Sequence, residues 1–119
     1  MSKIRSLVFL FSLLLCPLLL LAQNKQSNSR LALVIGNSDY EAGSLKNPVN
    51  DAVLIAKTLD SLHFDVLLDT NISTKRDFQN VIRKFGERRP LYEVAFIYYA
   101  GHGVQIGYEN YLLPTKESF

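Results

Sequence analysis

The sequence predicts an α/β fold with a mostly parallel sheet, laid out as a β-α-β-α-β unit. Three observations predict it. Leu31–Ile35 and Val94–Ala100 are short apolar runs closed by glycine, the pattern of strands buried on both faces. Between them lie two stretches with apolar residues at helical spacing, separated by a shorter strand pattern at Phe64–Leu68. Crossovers of this kind are almost always right-handed, which makes the strands parallel and sets helices on the sheet faces.

The first 22 residues stand apart from that unit. Lys3 and Arg5 make a basic start, Leu7 to Leu21 is almost wholly apolar, and Ala22 precedes a polar stretch. This is the layout of a secretory signal peptide. The apolar run is shorter than the ~20 residues that span a bilayer, and Ser12 and Pro17 weaken it further. Leu15, rather than a small residue, precedes Cys16, which argues against a lipoprotein. The expectation is export to the periplasm or cell exterior with cleavage after Ala22, and membrane attachment only if the segment stays uncleaved. Loss of Lys3 and Arg5 takes the 13 basic residues to 11, equal to the 11 acidic ones. A neutral mature chain gives no argument for a nucleic-acid partner. Cys16, the single cysteine, leaves with the same segment, so no disulfide supports the domain.

Residues 23–29 are polar and aperiodic, a short flexible lead-in. From residue 30 to 119 there is room for one small domain. Its first strand, Leu31–Ile35, ends at Gly36-Asn37, and Ser38 to Lys46 forms a loop. Asn47-Pro48 signals a helix start, with Asn as cap and Pro in the first turn. Ala52, Ile55, Ala56, Leu59 and Leu62 give that helix one apolar face. Thr74 and Asp77 have the spacing of a capping box, and Phe78, Val81, Ile82 and Phe85 follow on one face. Arg88-Arg89-Pro90 closes the second helix, and the strand Val94–Ala100 is expected beside the first. Val104–Ile106 and Tyr111–Pro114 suggest a hairpin or a further strand. Tyr98, Tyr99, Tyr108 and Tyr111 are expected to pack the core and its rim.

Ligands of parallel sheets gather at the carboxyl ends of the strands, where Gly36-Asn37 and Gly101-His102-Gly103 both fall. His102 is fixed by the strand before it yet open to a substrate, as a general base must be. Glycines beside it let the backbone approach a ligand, and their N–H groups suit a developing oxyanion. A solvent-exposed histidine in a glycine turn is the other reading of the same residues. Asp51 lies near the start of the first helix at the same edge, where an acid also simply favours the helix N-terminus. Asp39 and Glu41 in the preceding loop are less specific, and His63 sits at a helix-to-strand junction as a structural or solvated residue. There is no dinucleotide fingerprint, no Gly-x-x-x-x-Gly-Lys-Ser/Thr loop, no Gly-x-Ser-x-Gly elbow and no metal-ligand spacing, so neither metal nor cofactor is expected.

Three stretches together resemble a known family. Arg30-Leu31-Ala32-Leu33-Val34-Ile35-Gly36-Asn37-Ser38-Asp39-Tyr40 is similar to the opening strand and loop of the caspase-like cysteine peptidases. Leu45-Lys46-Asn47-Pro48-Val49-Asn50-Asp51-Ala52 resembles their first helix start, and Tyr98-Tyr99-Ala100-Gly101-His102-Gly103 their histidine motif. Tyr111-Leu112-Leu113-Pro114 resembles the stretch after it. The wording is closest to the metacaspase and paracaspase branch, bacterial relatives included. The resemblance implies a three-layer caspase-hemoglobinase sandwich and a Cys–His dyad acting on a peptide or protein substrate. His102 would be the base, Gly103 N–H an oxyanion donor, and Asp51 an acid of the pocket that selects Arg or Lys before the scissile bond. The family's cysteine follows the histidine by several tens of residues in an Asp-x-Cys context, whereas Phe119 lies 17 residues beyond His102. The expectation is therefore a p20 domain that stops before the nucleophile strand and is inactive alone. The alternative is a non-catalytic caspase-like module that binds peptide or protein, and a third reading is an unrelated small-ligand-binding α/β domain.

Overall fold

The computed structural model describes residues 29–116. The expected signal peptide and all of the lead-in but Ser29 lie outside those residues. At the centre is β1 (Arg30–Gly36), flanked in parallel by β2 (Phe64–Thr70) and β3 (Val94–Ala100) in the order β2-β1-β3. Arg30 stands opposite Phe64 and Val94, and Gly36 opposite Thr70 and Ala100, so all three strands end together at one edge.

The alternation of β1 builds two cores. Leu31, Leu33 and Ile35 meet Phe85 of α2 (Lys75–Arg88) on one face. Ala32 and Val34 meet Ala52, Ala56 and Leu59 of α1 (Pro48–Ser61) on the other. The result is three layers, helix on sheet on helix, as the sequence predicts. Leu31 through Ile35 are at most 1% exposed. Each of the Leu, Val and Ile side chains among them contributes ~1.5–3 kcal/mol on burial, so β1 is the strand that holds the layers together.

The helix ends explain the loops. Pro48 takes the first position of α1, but Asn47 caps nothing with its side chain. Its backbone is already helical (φ −106°, ψ −25°), not the extended conformation from which a cap side chain reaches forward. Ser38 supplies the oxygen instead, accepting the Val49 N–H at 3.2 Å from 11 residues upstream. α1 stops at His63, which is exposed, adopts φ 61°, and donates its N–H to the Asp60 carbonyl. At α2 the expected cap forms: Thr74 Oγ1 accepts the Asp77 N–H and its hydroxyl donates to Asp77 Oδ2 at 2.6 Å. That hydroxyl is the main reason the Asp77 carboxyl titrates below the usual carboxylate range. After a 3-10 turn at Arg89–Leu91, Tyr92 donates its hydroxyl proton to Asp65 on β2 at 2.5 Å. Arg88 reaches the same Tyr92 oxygen at 2.9 Å.

Three expectations are corrected. β3 is not buried: Val94, Phe96 and Ile97 are 44%, 40% and 53% exposed, because β3 ends the sheet order among the described residues and α1 packs on β1 and β2 more than on β3. Leu62 and Ile82 are likewise exposed, leaving narrower apolar faces than their spacing implied. β4 (Gly103–Ile106) and β5 (Glu109–Leu112) form the antiparallel hairpin, with Gly107 at φ 63° in the first loop position. Tyr108 projects from its tip fully exposed and Tyr111 is exposed, so Tyr98 and Tyr99 alone of the four pack on the cores. Among the described residues no helix is long and apolar enough to cross a membrane.

Candidate active site

Three loops and a helix start converge at the carboxyl edge of the sheet. α1 comes close because β1 ends in glycine. A Cβ on Gly36 would lie 2.6 Å from the Pro48 carbonyl oxygen and 2.7 Å from Ala52 Cβ. The first turn of α1, with Asp51 in it, therefore rests directly on the end of β1. On the other side of β1 the Ala100 carbonyl accepts the Asn37 N–H at 2.8 Å, which carries the β1–β3 ladder one step past the strands. His102 follows two residues later.

Asn37 is fully buried and joins three segments. Its Oδ1 accepts the Ile72 N–H at 2.9 Å, and its Nδ2 donates to the Leu113 carbonyl at 3.1 Å. Residues 113–116 then run as a strap across the edge. Thr115 N–H reaches the Ile72 carbonyl at 2.8 Å, Glu41 N–H reaches the Thr115 carbonyl at 3.3 Å, and Lys116 N–H reaches the Ser73 carbonyl at 3.1 Å. Asp39 serves the same fastening: it accepts Asn71 Nδ2 at 2.6 Å, while Asn71 Oδ1 accepts the N–H groups of Ser38 and Asp39.

The His102 backbone is held at both ends. Its N–H donates to the Tyr40 hydroxyl oxygen at 2.8 Å, and its carbonyl accepts the Tyr99 hydroxyl at 2.7 Å and the Leu113 N–H at 3.0 Å. The residue itself is exposed, with its ring 4.5 Å from that of Tyr40 in an edge-on contact. Gly103 opens β4 opposite Leu112. Because His102 and Leu113 are bonded across the hairpin, the alternation of an antiparallel ladder leaves Gly103 at a non-bonded position. Its N–H thus points away from β5. Burial, followed by the neighbouring Tyr40 hydroxyl, pushes the Tyr99 phenol far above the ordinary tyrosine range, so it remains a proton donor at any ordinary pH.

Of the residues singled out from sequence, His102, Gly103 and Asp51 share this edge. Asp51 lies exposed in the first turn of α1, and no hydrogen bond or ion pair joins it to His102. The sequence places Asn37 at this edge and Tyr40 and Leu113 in stretches that resemble the family, but gives none of them a role of its own, and it offers Tyr99 only as packing. Their signal was faint: a polar residue directly after an apolar strand, and a tyrosine three positions before the histidine. Among the described residues no three His, Cys, Asp or Glu side chains gather as a metal site.

This edge presents an exposed histidine on a held backbone, an outward N–H after it, and the Asp51 carboxylate in the helix turn at the same edge. No curated protein matches the chain. The peptidase C14 caspase domain matches residues 29–119, which takes in every element of the sheet, both helices and the histidine loop. That span makes the chain a member of the caspase domain family, and so of the caspase-like cysteine peptidases.

Proposed function

We propose that this chain carries the histidine half of a Cys–His peptidase site. The observation that supports the reading is His102: backbone held on two sides, the residue exposed, and followed by an N–H directed out of its ladder. In the reaction, an imidazole nitrogen of His102 takes the proton of a cysteine thiol, and the thiolate attacks the peptide carbonyl carbon. The Gly103 N–H holds the resulting oxyanion, and the imidazolium returns its proton to the departing amine. Water then hydrolyses the thioester, with His102 again as base. Cys16 is the single thiol of the sequence and lies in the apolar leader. The nucleophile of this scheme therefore comes from outside residues 23–119, and these residues alone are inactive in this reading. Asp51 favours Arg or Lys before the scissile bond through charge-assisted hydrogen bonds. Export by residues 1–22 belongs to the same proposal, checked by whether the secreted form begins at Gln23.

The test uses the protein translated from its whole coding sequence, with fluorogenic peptides bearing Arg, Lys or Asp before the scissile bond. Cleavage after Arg and Lys that His102→Ala abolishes supports the reading, and turnover retained by that variant removes His102 as base. Asp51→Ala should lower Arg and Lys cleavage by roughly tenfold or more, the scale of one charge-assisted hydrogen bond. An unchanged preference would sink the pocket assignment.

A second reading has its own observation. The outer edge of β3 pairs with no strand among the described residues and exposes Val94, Phe96 and Ile97. Such an edge takes up an extended peptide by strand addition, which suits a non-catalytic binding module. Peptide-induced amide shifts along β3 without turnover in the full protein would favour it.

A further inference from the structure

We propose that Tyr40 and Tyr99 are positioning residues for His102, their paired hydroxyls gripping its N–H and its carbonyl so that the imidazole is set against the Tyr40 ring. The meaning of this clamp for catalysis rests on reading His102 as the base.

Proton counting makes the arrangement directional. The two hydroxyls have two protons: Tyr99 has three acceptor oxygens within reach, those of the His102 and Leu113 carbonyls and of Tyr40, and Tyr40 has two, those of the Leu113 carbonyl and of Tyr99. The shortest contact, 2.7 Å, takes the Tyr99 proton to the His102 carbonyl. Tyr40 Oη is then the acceptor of the His102 N–H, and its own proton goes to Tyr99 Oη at 3.1 Å or to the Leu113 carbonyl at 3.2 Å. Each hydroxyl is thus used as donor and acceptor or as donor with a second contact, and neither side chain is free to turn. Tyr40 is 7% exposed, and the Tyr99 ring packs 6.0 Å from that of Phe78.

Gly101 belongs to the same device. A Cβ there would lie 2.5 Å from Tyr40 Oη and 2.6 Å from Tyr99 Oη, so the hydroxyls fill the space a side chain would take. The glycine before His102 is there to admit the clamp. The three contacts of the Leu113 carbonyl, from Asn37, Tyr40 and Tyr99, tie it to the strap.

The experiment is solution NMR on the full 119-residue chain, with Tyr40→Phe and Tyr99→Phe. His63, exposed after α1, is the internal reference. In the unaltered protein the ring protons of His102 should be displaced from those of His63 by the Tyr40 ring. Tyr40→Phe should speed exchange of the His102 amide roughly fivefold or more, the scale of one lost hydrogen bond, and move its ring protons. Tyr99→Phe should shift the His102 carbonyl carbon. Amides of Leu33 and Ile35 should stay as protected as before in both. The proposal is overturned if both variants keep the His102 signals unchanged, or if the sheet amides lose protection to the same extent, the mark of a merely structural role. If Tyr40→Phe does not fold, Tyr99→Phe decides, since its ring and packing remain. No substrate or thiol enters this measurement. Altered His102 signals in an enzyme whose cleavage ignores His102 would refute the base and leave the clamp. Unaltered signals with His102-dependent cleavage would refute the clamp alone.

Discussion

A methyl group added at Gly36 meets backbone, not a yielding side chain: the Pro48 carbonyl oxygen at 2.6 Å and the Val49 Cα at 3.0 Å. Gly36→Ala must therefore push α1 off the end of β1. It should destabilise by roughly 1–3 kcal/mol, the range for overpacked sites, read as a lower denaturant midpoint at constant slope. An unchanged midpoint would mean that α1 shifts freely, and with it the Asp51 position. Asn37→Ala acts by omission. It strips the acceptor from the Ile72 N–H at a fully buried place and should lose about 1–3 kcal/mol, the penalty of an unpaired buried group. Faster exchange of the Ile72 amide, ahead of the sheet amides, is the local sign to look for.

At the scale of elements, the cap of α2 links sequence to pH. Thr74→Ala should weaken the helix start by about 1 kcal/mol. The Asp77 carboxyl is lowered in the folded chain, so its contribution is present above the unfolded value and fades as pH falls through the folded one. Asp69 near the end of β2 works in the opposite sense. Burial raises it, outweighing the attraction of Lys84, so the fold is favoured while Asp69 is protonated and loses that advantage as pH rises through the raised value. Asp69→Asn should thus stabilise at neutral pH and bring no gain in strong acid; thermal midpoints across pH decide, and a gain independent of pH would contradict the assignment. The sequence disclosed these elements well because their signals are local. Thr74 and Asp77 are three residues apart, and the apolar run Leu31–Ile35 is unbroken. It misassigned the cap of α1 because the Ser38 bond depends on how an 11-residue loop folds back. It missed the clamp for the same reason at longer range, Tyr40 and His102 being 62 residues apart. The exposure of β3 was illegible for another reason: composition declares what a strand requires around it, and only the fold tells what it has.

Across the whole molecule the two sheet edges differ. β2 carries Asp65 and Asp69 four residues apart, with Arg88 3.6 Å from Asp65, and charge on an edge strand resists unwanted pairing. β3, Val-Ala-Phe-Ile-Tyr-Tyr-Ala, carries none. The full chain should therefore self-associate through β3 in a concentration-dependent way. Ile97→Lys should suppress that association with a stability change within about 0.5 kcal/mol, as for other exposed sites. Leu68→Lys on β2 is the control, and equal suppression by it in light scattering would refute the assignment to β3. Time enters through Asn37. Its side-chain bonds span 35 residues to Ile72 and 76 to Leu113. Closing the longer loop costs more chain entropy, so β1, α1 and β2 should assemble first and the histidine loop should be fastened after them. Bonds absent from the folding transition state govern how long the native state lasts, not how fast it is reached. The Leu113 fastening should then act as a clock on the site: loosening it shortens the life of the histidine geometry while the sheet still forms at its usual speed.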